Sequence, residues 1–242
     1  MTALTLATVG EAKACYGKAV AALRPSEYTA ALIQALHSQP DWTSGAHALD
    51  IGCGSGVVLA AMGELGAASL CGVDIEPTAA AASRRLLQEL GFGNRLEMFQ
   101  GDMWRPIFPR RFDLIAANLP QFPMEPAPVP GRLPSWSTGG RDGRRLLDRF
   151  IEALPRHLAP GGRALITHNA FIDLEQTRTM LARDALCLRV AMTLLVSLSE
   201  EKLELMTPEI LCAEEGHSIH RYRQYAFGEM HVVEIGAAAT LS

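Results

Sequence analysis

Three short stretches carry acids and glycines at a spacing that suggests ligand chemistry. Asp50-Ile51-Gly52-Cys53-Gly54-Ser55-Gly56 sets glycines on a GxGxG spacing directly behind an acid. Such glycines permit a tight turn and let a ligand approach the main chain, and a following helix offers free N–H groups. A glycine run alone also suits a dinucleotide, whose usual spacing is GxGxxG. Asp50 tips the balance, because a carboxylate repels a pyrophosphate and attracts the ammonium of an amino acid. Gly72-Val73-Asp74 ends in a second acid, roughly 20 residues on, which suits hydrogen bonding to a ribose diol. In Gly101-Asp102-Met103, Asp102 can accept the exocyclic amine of adenine, while Met103 offers an apolar face and a main-chain amide. Taken singly, each acid equally suits a helix N-cap or a turn. Three acids at three successive strand ends, joined to a glycine turn, form a specific combination.

The elements that position these residues alternate along the chain. Helices are expected near 11–23 and 26–38, the second with Leu32, Ile33 and Leu36 at helical spacing. Strands are expected at 46–51, 69–73, 95–100, 112–117, 163–167, 188–198 and 221–235. Helices are expected at 57–65, from Pro77 to Gly91, at 142–158 with a kink or early end at Pro155, and near 172–183. This pattern predicts an α/β fold: a doubly wound, mostly parallel seven-stranded sheet with helices on both faces. The chain is expected to form one domain over residues 1–242. Ligands of such sheets bind beyond the carboxyl ends of the strands. Residues 119–138 break the rhythm with prolines at 120, 123, 126, 128, 130 and 134, which marks a substrate loop.

With the glycine turn and the acids in place, the chain resembles the class I S-adenosylmethionine-dependent methyltransferases. The resemblance implies a Rossmann-like methyltransferase fold with S-adenosyl-L-methionine as cofactor. It implies cofactor contacts at Asp50, Gly52, Cys53, Gly54, Gly56, Asp74, Ile75, Asp102 and Met103. Asn118-Leu119-Pro120-Gln121 resembles the Asn-Pro-Pro-Tyr signature of enzymes that methylate planar amino or amide nitrogens. On that resemblance Asn118, Leu119 and Pro120 are catalytic, and Asn118 also borders the cofactor. The Asn118 carboxamide oxygen and the Leu119 carbonyl would accept the two N–H bonds of a nitrogen whose lone pair is otherwise delocalised. Positioning and dipoles then do the catalysis, with no strong base. Leu119 replaces a proline but keeps its carbonyl. Gln121 replaces an aromatic and removes a stacking face, which Phe122 is placed to supply.

Ser135-Trp136-Ser137-Thr138-Gly139-Gly140-Arg141-Asp142-Gly143-Arg144, with Asp148-Arg149-Phe150, resembles the HemK-related release-factor glutamine methyltransferases, most closely the short members. Pro25-Ser26-Glu27-Tyr28-Thr29 resembles their Pro-Ala-Glu-Asp-Thr element, which implies a cofactor role for Thr29. Gln121, Phe122, Trp136 and His168 are assigned to the substrate pocket. The resemblance spans about residues 24–170 and fades over Cys187–Ser242. It implies an N-methyltransferase acting on a protein glutamine or a small metabolite. Methyl transfer to oxygen or sulfur, or a cofactor-binding regulator without turnover, stand as alternatives. A small partner subunit or a homo-oligomer is left open.

Composition restricts the classes further. The formal charge of −4 argues against a nucleic-acid backbone as partner, and Arg141, Arg144, Arg145 and Arg149 are expected on a solvated helix face. Five cysteines without a CxxC pair suggest neither disulfides nor zinc, and His217, His220 and His231 lack completing ligands, so no metal is expected. No secretory signal or membrane span is visible, so a cytoplasmic location is expected.

Overall fold

The computed structural model describes residues 24–125 and 138–241. The helix expected near 11–23, most of the proline-rich loop, and Trp136 lie outside the described residues.

A sheet forms wherever apolar residues alternate between two buried faces. In β1 (His47–Ile51), Leu49 and Ile51 point to one face and Ala48 and Asp50 to the other. β2 (Ser69–Asp74) and β3 (Leu96–Gln100) pair in parallel on one side of β1. β4 (Phe112–Ala117) and β5 (Leu158–Asn169) do so on the other. α1 (Glu27–Ser38), α2 (Val57–Glu64) and α3 (Pro77–Glu89) cover the Ala48 face with Leu32, Leu36, Leu59, Met62 and Leu87. α4 (Arg145–His157) and α5 (Leu174–Ala182) cover the Leu49 face with Leu147, Phe150, Leu154 and Leu181. The doubly wound arrangement follows from strands that are apolar on both sides.

The far edge is antiparallel. β6 (Leu186–Leu198) and β8 (Tyr225–Ala237) form a long pair, and β8 also pairs antiparallel with β5. The order is β3-β2-β1-β4-β5-β8-β6, and β7 (Ile219–Tyr222) adds to the N-terminal end of β8. The seven strands in that order match the expected sheet, and β7 is an eighth among the described residues. The segment anticipated at 221–235 divides at a turn where Arg223 takes a positive φ of 57°. Three further helices were not anticipated: α6 (Glu200–Leu205), α7 (Pro208–Glu214) and α8 (Ala238–Leu241). α6 starts on a Ser199 cap whose hydroxyl accepts the Lys202 N–H at 3.3 Å. β5 is also longer than expected. It absorbs Pro160–Gly162 where its register against β4 shifts between Phe112 and Leu114. Pro155 does not end α4, which continues to His157.

Of the arginine-rich stretch, Arg141, Arg145 and Arg149 are exposed as expected, and only Arg144 departs from a solvated face. Arg144 is 2% exposed and packs between α4 and α5, bonding the Asp173 carbonyl and the Thr177 hydroxyl. Arg141 pairs with Glu209 at 2.7 Å, and Arg149 with Asp102 at 2.7 Å.

Candidate active site

A cavity of about 600 Å³ opens at the carboxyl ends of β1, β2, β4 and β5, and residues from the glycine turn, α1, α4 and α6 complete its wall. That size suits one cofactor-scale ligand with room for a small reacting group.

The glycine turn forms because β1 must reverse tightly into α2. Gly52, Gly54 and Gly56 all take positive φ, at 73°, 52° and 83°. Gly52 and Gly54 line the cavity, and a Cβ on Gly52 would meet only Leu119 Cδ2, at 3.5 Å. Gly56 serves packing instead. A Cβ there would lie 2.3 Å from Ser83 Oγ and 2.9 Å from Ser83 Cα, so it lets α2 close against α3. Cys53 is likewise turned into the core, 5% exposed, where burial raises its thiol well above the usual range. Neither Cys53 nor Gly56 is among the residues that line the cavity.

Asp74 does line the cavity. Its Oδ2 accepts the Gly54 N–H at 2.8 Å and its Oδ1 accepts the Glu76 N–H at 2.9 Å. Each oxygen keeps a lone pair for a ligand hydroxyl. Burial raises its pKa, and these main-chain bonds oppose the rise. Ile75, 56% exposed, stands at the rim as an apolar surface for a flat ring. Asp102 and Met103 border the same end, Met103 with a positive φ of 52°. Arg149 lines the cavity here too and fixes the Asp102 carboxylate, a contact no local motif announced.

Asp50 sits behind the turn rather than on the wall, 2% exposed. Burial, reinforced by the neighbouring Asp74 charge, pushes its pKa up to about 8. Its carboxyl is therefore largely protonated at neutral pH, and a cation arriving at the turn would favour its ionised form.

Asn118 follows β4 and lines the cavity with Leu119 and Pro120. Its Nδ2 donates to Thr29 Oγ1 at 3.4 Å, and its Oδ1 accepts the Thr167 hydroxyl at 2.9 Å. Thr29 also receives the Ser26 N–H at 3.4 Å, at the first turn of α1. Thr29 thus holds the Asn118 carboxamide from the first turn of α1. Gln121 lines the wall, but its carboxamide turns to β5. Nε2 donates to the Thr167 carbonyl at 2.6 Å and Oε1 accepts the Asn169 N–H at 3.1 Å. Phe122 supplies the aromatic surface lost at position 121, packed edge-on against Phe171 with ring centroids 6.0 Å apart.

His168 is a correction. It is fully buried on the α5 side, with Nε2 3.0 Å from Thr177 Oγ1 and Nδ1 2.9 Å from the Asn169 carbonyl. Burial lowers its pKa to about 4. Alternation along β5 sends Thr167 and Asn169 to the cavity and His168 away from it. Asn169, which with His168 ends the fifth strand at the ligand edge, does line the wall, and Thr167 and Tyr28 are wall residues that the sequence reasoning missed. Applying the two-residue period at the end of β5 would have found Thr167. Ser197, Ser199, Glu201 and Lys202 complete the outer wall from the segment beyond the resemblance.

A doubly wound sheet with an acid-lined adenosyl pocket and an asparagine at the β4 end defines the class I S-adenosylmethionine-binding methyltransferase architecture. Residues 48–129 match the family described as "Methyltransferase domain". A Methanocaldococcus jannaschii protein named as a protein N5-glutamine methyltransferase is 32% identical over 131 residues, covering 53% of this chain and 64% of that protein. A release factor glutamine methyltransferase of Geobacter sulfurreducens is 33% identical over 121 residues, covering 47% of this chain and 42% of its own length. The matched segments thus span less than two thirds of either relative. The T. Thermophilus 16S rRNA N2 G1207 methyltransferase, solved with AdoMet and guanosine, shares the fold. Its TM-score is 0.54 at 14% identity, over 88% of this chain and 44% of that one. Residues 48–129 thus match a methyltransferase domain, and the chain is similar to glutamine methyltransferases over about half of its length. Among the described residues, no helix is long and apolar enough to cross a membrane.

Proposed function

We propose that this chain transfers a methyl group from S-adenosyl-L-methionine to an amide or amino nitrogen of a protein glutamine or small metabolite. The single observation that carries this reading is the carboxamide of Asn118, fixed at both ends by Thr29 and Thr167 on the wall of a cavity that also holds Asp74 and Asp102. Bound there, the cofactor supplies an electrophilic methyl on a sulfonium. Asp74 suits the ribose diol, Asp102 the adenine amine, and Ile75 and Met103 the ring faces. Asn118 Oδ1 has a second lone pair for a substrate N–H, and the Leu119 carbonyl is the partner acceptor for the other. Holding both N–H bonds aims the nitrogen lone pair at the methyl carbon; as the N–C bond forms the S–C bond would break, leaving neutral S-adenosylhomocysteine, and the cationic N-methyl product would then lose a proton to water. His168, buried and turned away, takes no part.

The glutamine-modifying relatives support a protein amide as acceptor. Labelled-methyl transfer tests the reading, with a release factor, a nucleic-acid pool and a metabolite extract as acceptors. Label in a nitrogen of protein or metabolite, lost in Asn118→Ala, is the expected result. Label on oxygen or sulfur, undiminished in that variant, would overturn it.

A further inference from the structure

The main path of the sheet ends in two edges of unlike character. β3, at one end, is five residues long, and the Arg84 guanidinium takes its Met98 carbonyl at 2.8 Å. β6, at the other, runs for 13 residues, with β8 as its neighbour in the sheet among the described residues. Edge strands are ordinarily guarded by charge, proline, a bulge or short length, because their unpaired main-chain groups recruit other strands. In β6 those guards are confined to the first half, where Arg189 and the register shift between Val190 and Met192 lie. From Met192 to Leu198 the strand carries neither charge nor proline.

The direction of the main chain in that second half follows from bonds made by β8. The Glu229 N–H donates to the Ser218 carbonyl at 2.8 Å, and the Glu229 carbonyl accepts the Ala170 N–H at 2.9 Å. Both groups of Glu229 therefore point to the β5 and β7 side, away from β6. Leu195 is its partner across the β6–β8 pair. In an antiparallel ladder, the residue opposite such a position is not bonded to it and turns its own N–H and C=O outward. Alternation gives Thr193 and Ser197 the same direction. Over roughly 13 Å of strand, each of these three residues thus offers one donor and one acceptor to the free edge. Among the described residues, no main chain pairs with them there. Their side chains share one face, on which Thr193 Oγ1 is held 2.9 Å from His231 Nδ1 and Leu195 is 56% exposed.

This stretch leads into the active site. Val196 and Ser197 line the cavity, and Ser199, Glu201 and Lys202 carry its wall onward from the end of β6. A chain laid along the edge therefore emerges at the cavity mouth. We infer that Thr193, Leu195 and Ser197 form a docking strip for an extended polypeptide, which adds to the sheet as a further strand beside β6. Recognition is main chain to main chain, and Leu195 supplies an apolar cross-strand contact, so the fitting segment is extended and uncharged where it faces Leu195. The pairing rests on the strand geometry. That the docked polypeptide is the methyl acceptor rests on the methyl-transfer reading.

Two measurements test the strip. Residue-resolved hydrogen exchange is followed on the full chain saturated with S-adenosylhomocysteine. The amides of Thr193, Leu195 and Ser197 should exchange fast, and those of Met192, Leu194 and Val196 slowly. Protection of both sets without a partner would mean that the edge is already covered, and the inference would fall. Labelled-methyl transfer to a release factor and to native total cell protein then reads the partner. Leu195→Lys places a charge on the exposed edge and should raise KM for the protein acceptor about ten-fold, with kcat within about two-fold. Leu195→Pro removes one outward donor and spares the β8 ladder, so it should act in the same direction, while Leu195→Val should stay near wild type. Melting temperature and S-adenosylhomocysteine affinity should hold in Leu195→Lys. Protein labelling undiminished in both Leu195→Lys and Leu195→Pro, or label that enters metabolites alone, would sink the strip and leave methyl transfer standing. A wild-type dimer in sedimentation that Leu195→Lys dissociates would make a second copy the occupant and equally overturn it. Absence of label from every acceptor is the separate signature of a failed methyl-transfer reading, and the strip's role toward an acceptor falls with it.

Discussion

Thr167 donates its hydroxyl to the Oδ1 of Asn118 at 2.9 Å, tying the end of β5 to the residue that leaves β4. The two strands pair as far as Ala117 and Ile166, so this contact is made one step beyond the last rung. Thr29 holds the other end of the same carboxamide from α1. Asn118 thus presents its oxygen in one direction only.

Loss of the carboxamide should cost turnover far more than cofactor affinity. An oriented polar group of this kind is worth roughly 10²–10³ in rate, so Asn118→Ala should fall by that factor. Thr167→Val removes one orienting hydrogen bond, worth about 0.5–1.5 kcal/mol, and should slow turnover several-fold. Steady-state methyl transfer alongside calorimetric titration of S-adenosylmethionine checks both. Equal losses in rate and cofactor affinity would count against the assigned role.

Gln121 takes the place of a ladder rung, since its carboxamide bonds the carbonyl of Thr167 and the N–H of Asn169. Gln121→Leu fills similar space but leaves two buried main-chain groups unpaired. The expected destabilisation is roughly 2–4 kcal/mol, read from urea unfolding. A variant as stable as wild type would show that the rung is dispensable.

Two buried groups give stability an uneven pH profile. Asp50 is raised from 3.8 to about 8, so the native state binds more protons than the unfolded chain between those values, and stability falls as pH rises through that window. His168 is lowered from 6.5 to about 4, so the unfolded chain binds more protons between those values, and stability rises with pH there. The two slopes oppose each other up to about pH 6.5, and only the Asp50 loss remains from there to about pH 8. Asp50→Asn should convert a flat-then-falling contribution into a rising-then-flat one. Melting temperatures from pH 4 to 9 measure this. An unchanged fall above pH 6.5 in the variant would exclude Asp50 as its source.

Two glycines with similar backbone angles should respond differently to alanine. Gly45 has φ of 74° and nothing within 4 Å of an added Cβ, so Gly45→Ala should cost only the left-handed backbone penalty, roughly 1–2 kcal/mol. Gly56, at φ 83°, would add the Ser83 clash, and Gly56→Ala should be the more damaging. It should also weaken cofactor binding, although Gly56 does not line the cavity. Chemical denaturation of both variants decides the order.

By itself the sequence determined the parallel strands of the cofactor half, the glycine turn, and the placement of Asp74, Asp102 and Asn118 at strand ends. Those features depend on local periodicity and turn chemistry, which neighbouring residues encode. Only the tertiary structure decided which residues face the cavity. Asp50, Cys53 and Gly56 belong to the glycine motif, yet all three lie behind its wall. His168 and Asn169 are adjacent in sequence but point to opposite sides of β5, so position at the strand end alone does not tell which of them faces the cavity. Thr29, Thr167 and Asn118 meet across three elements, and Arg149 reaches Asp102 from a helix 47 positions away. α6 supplies the outer wall from a segment with no motif at all. Such contacts depend on how elements pack in space, and no local spacing in the chain records that.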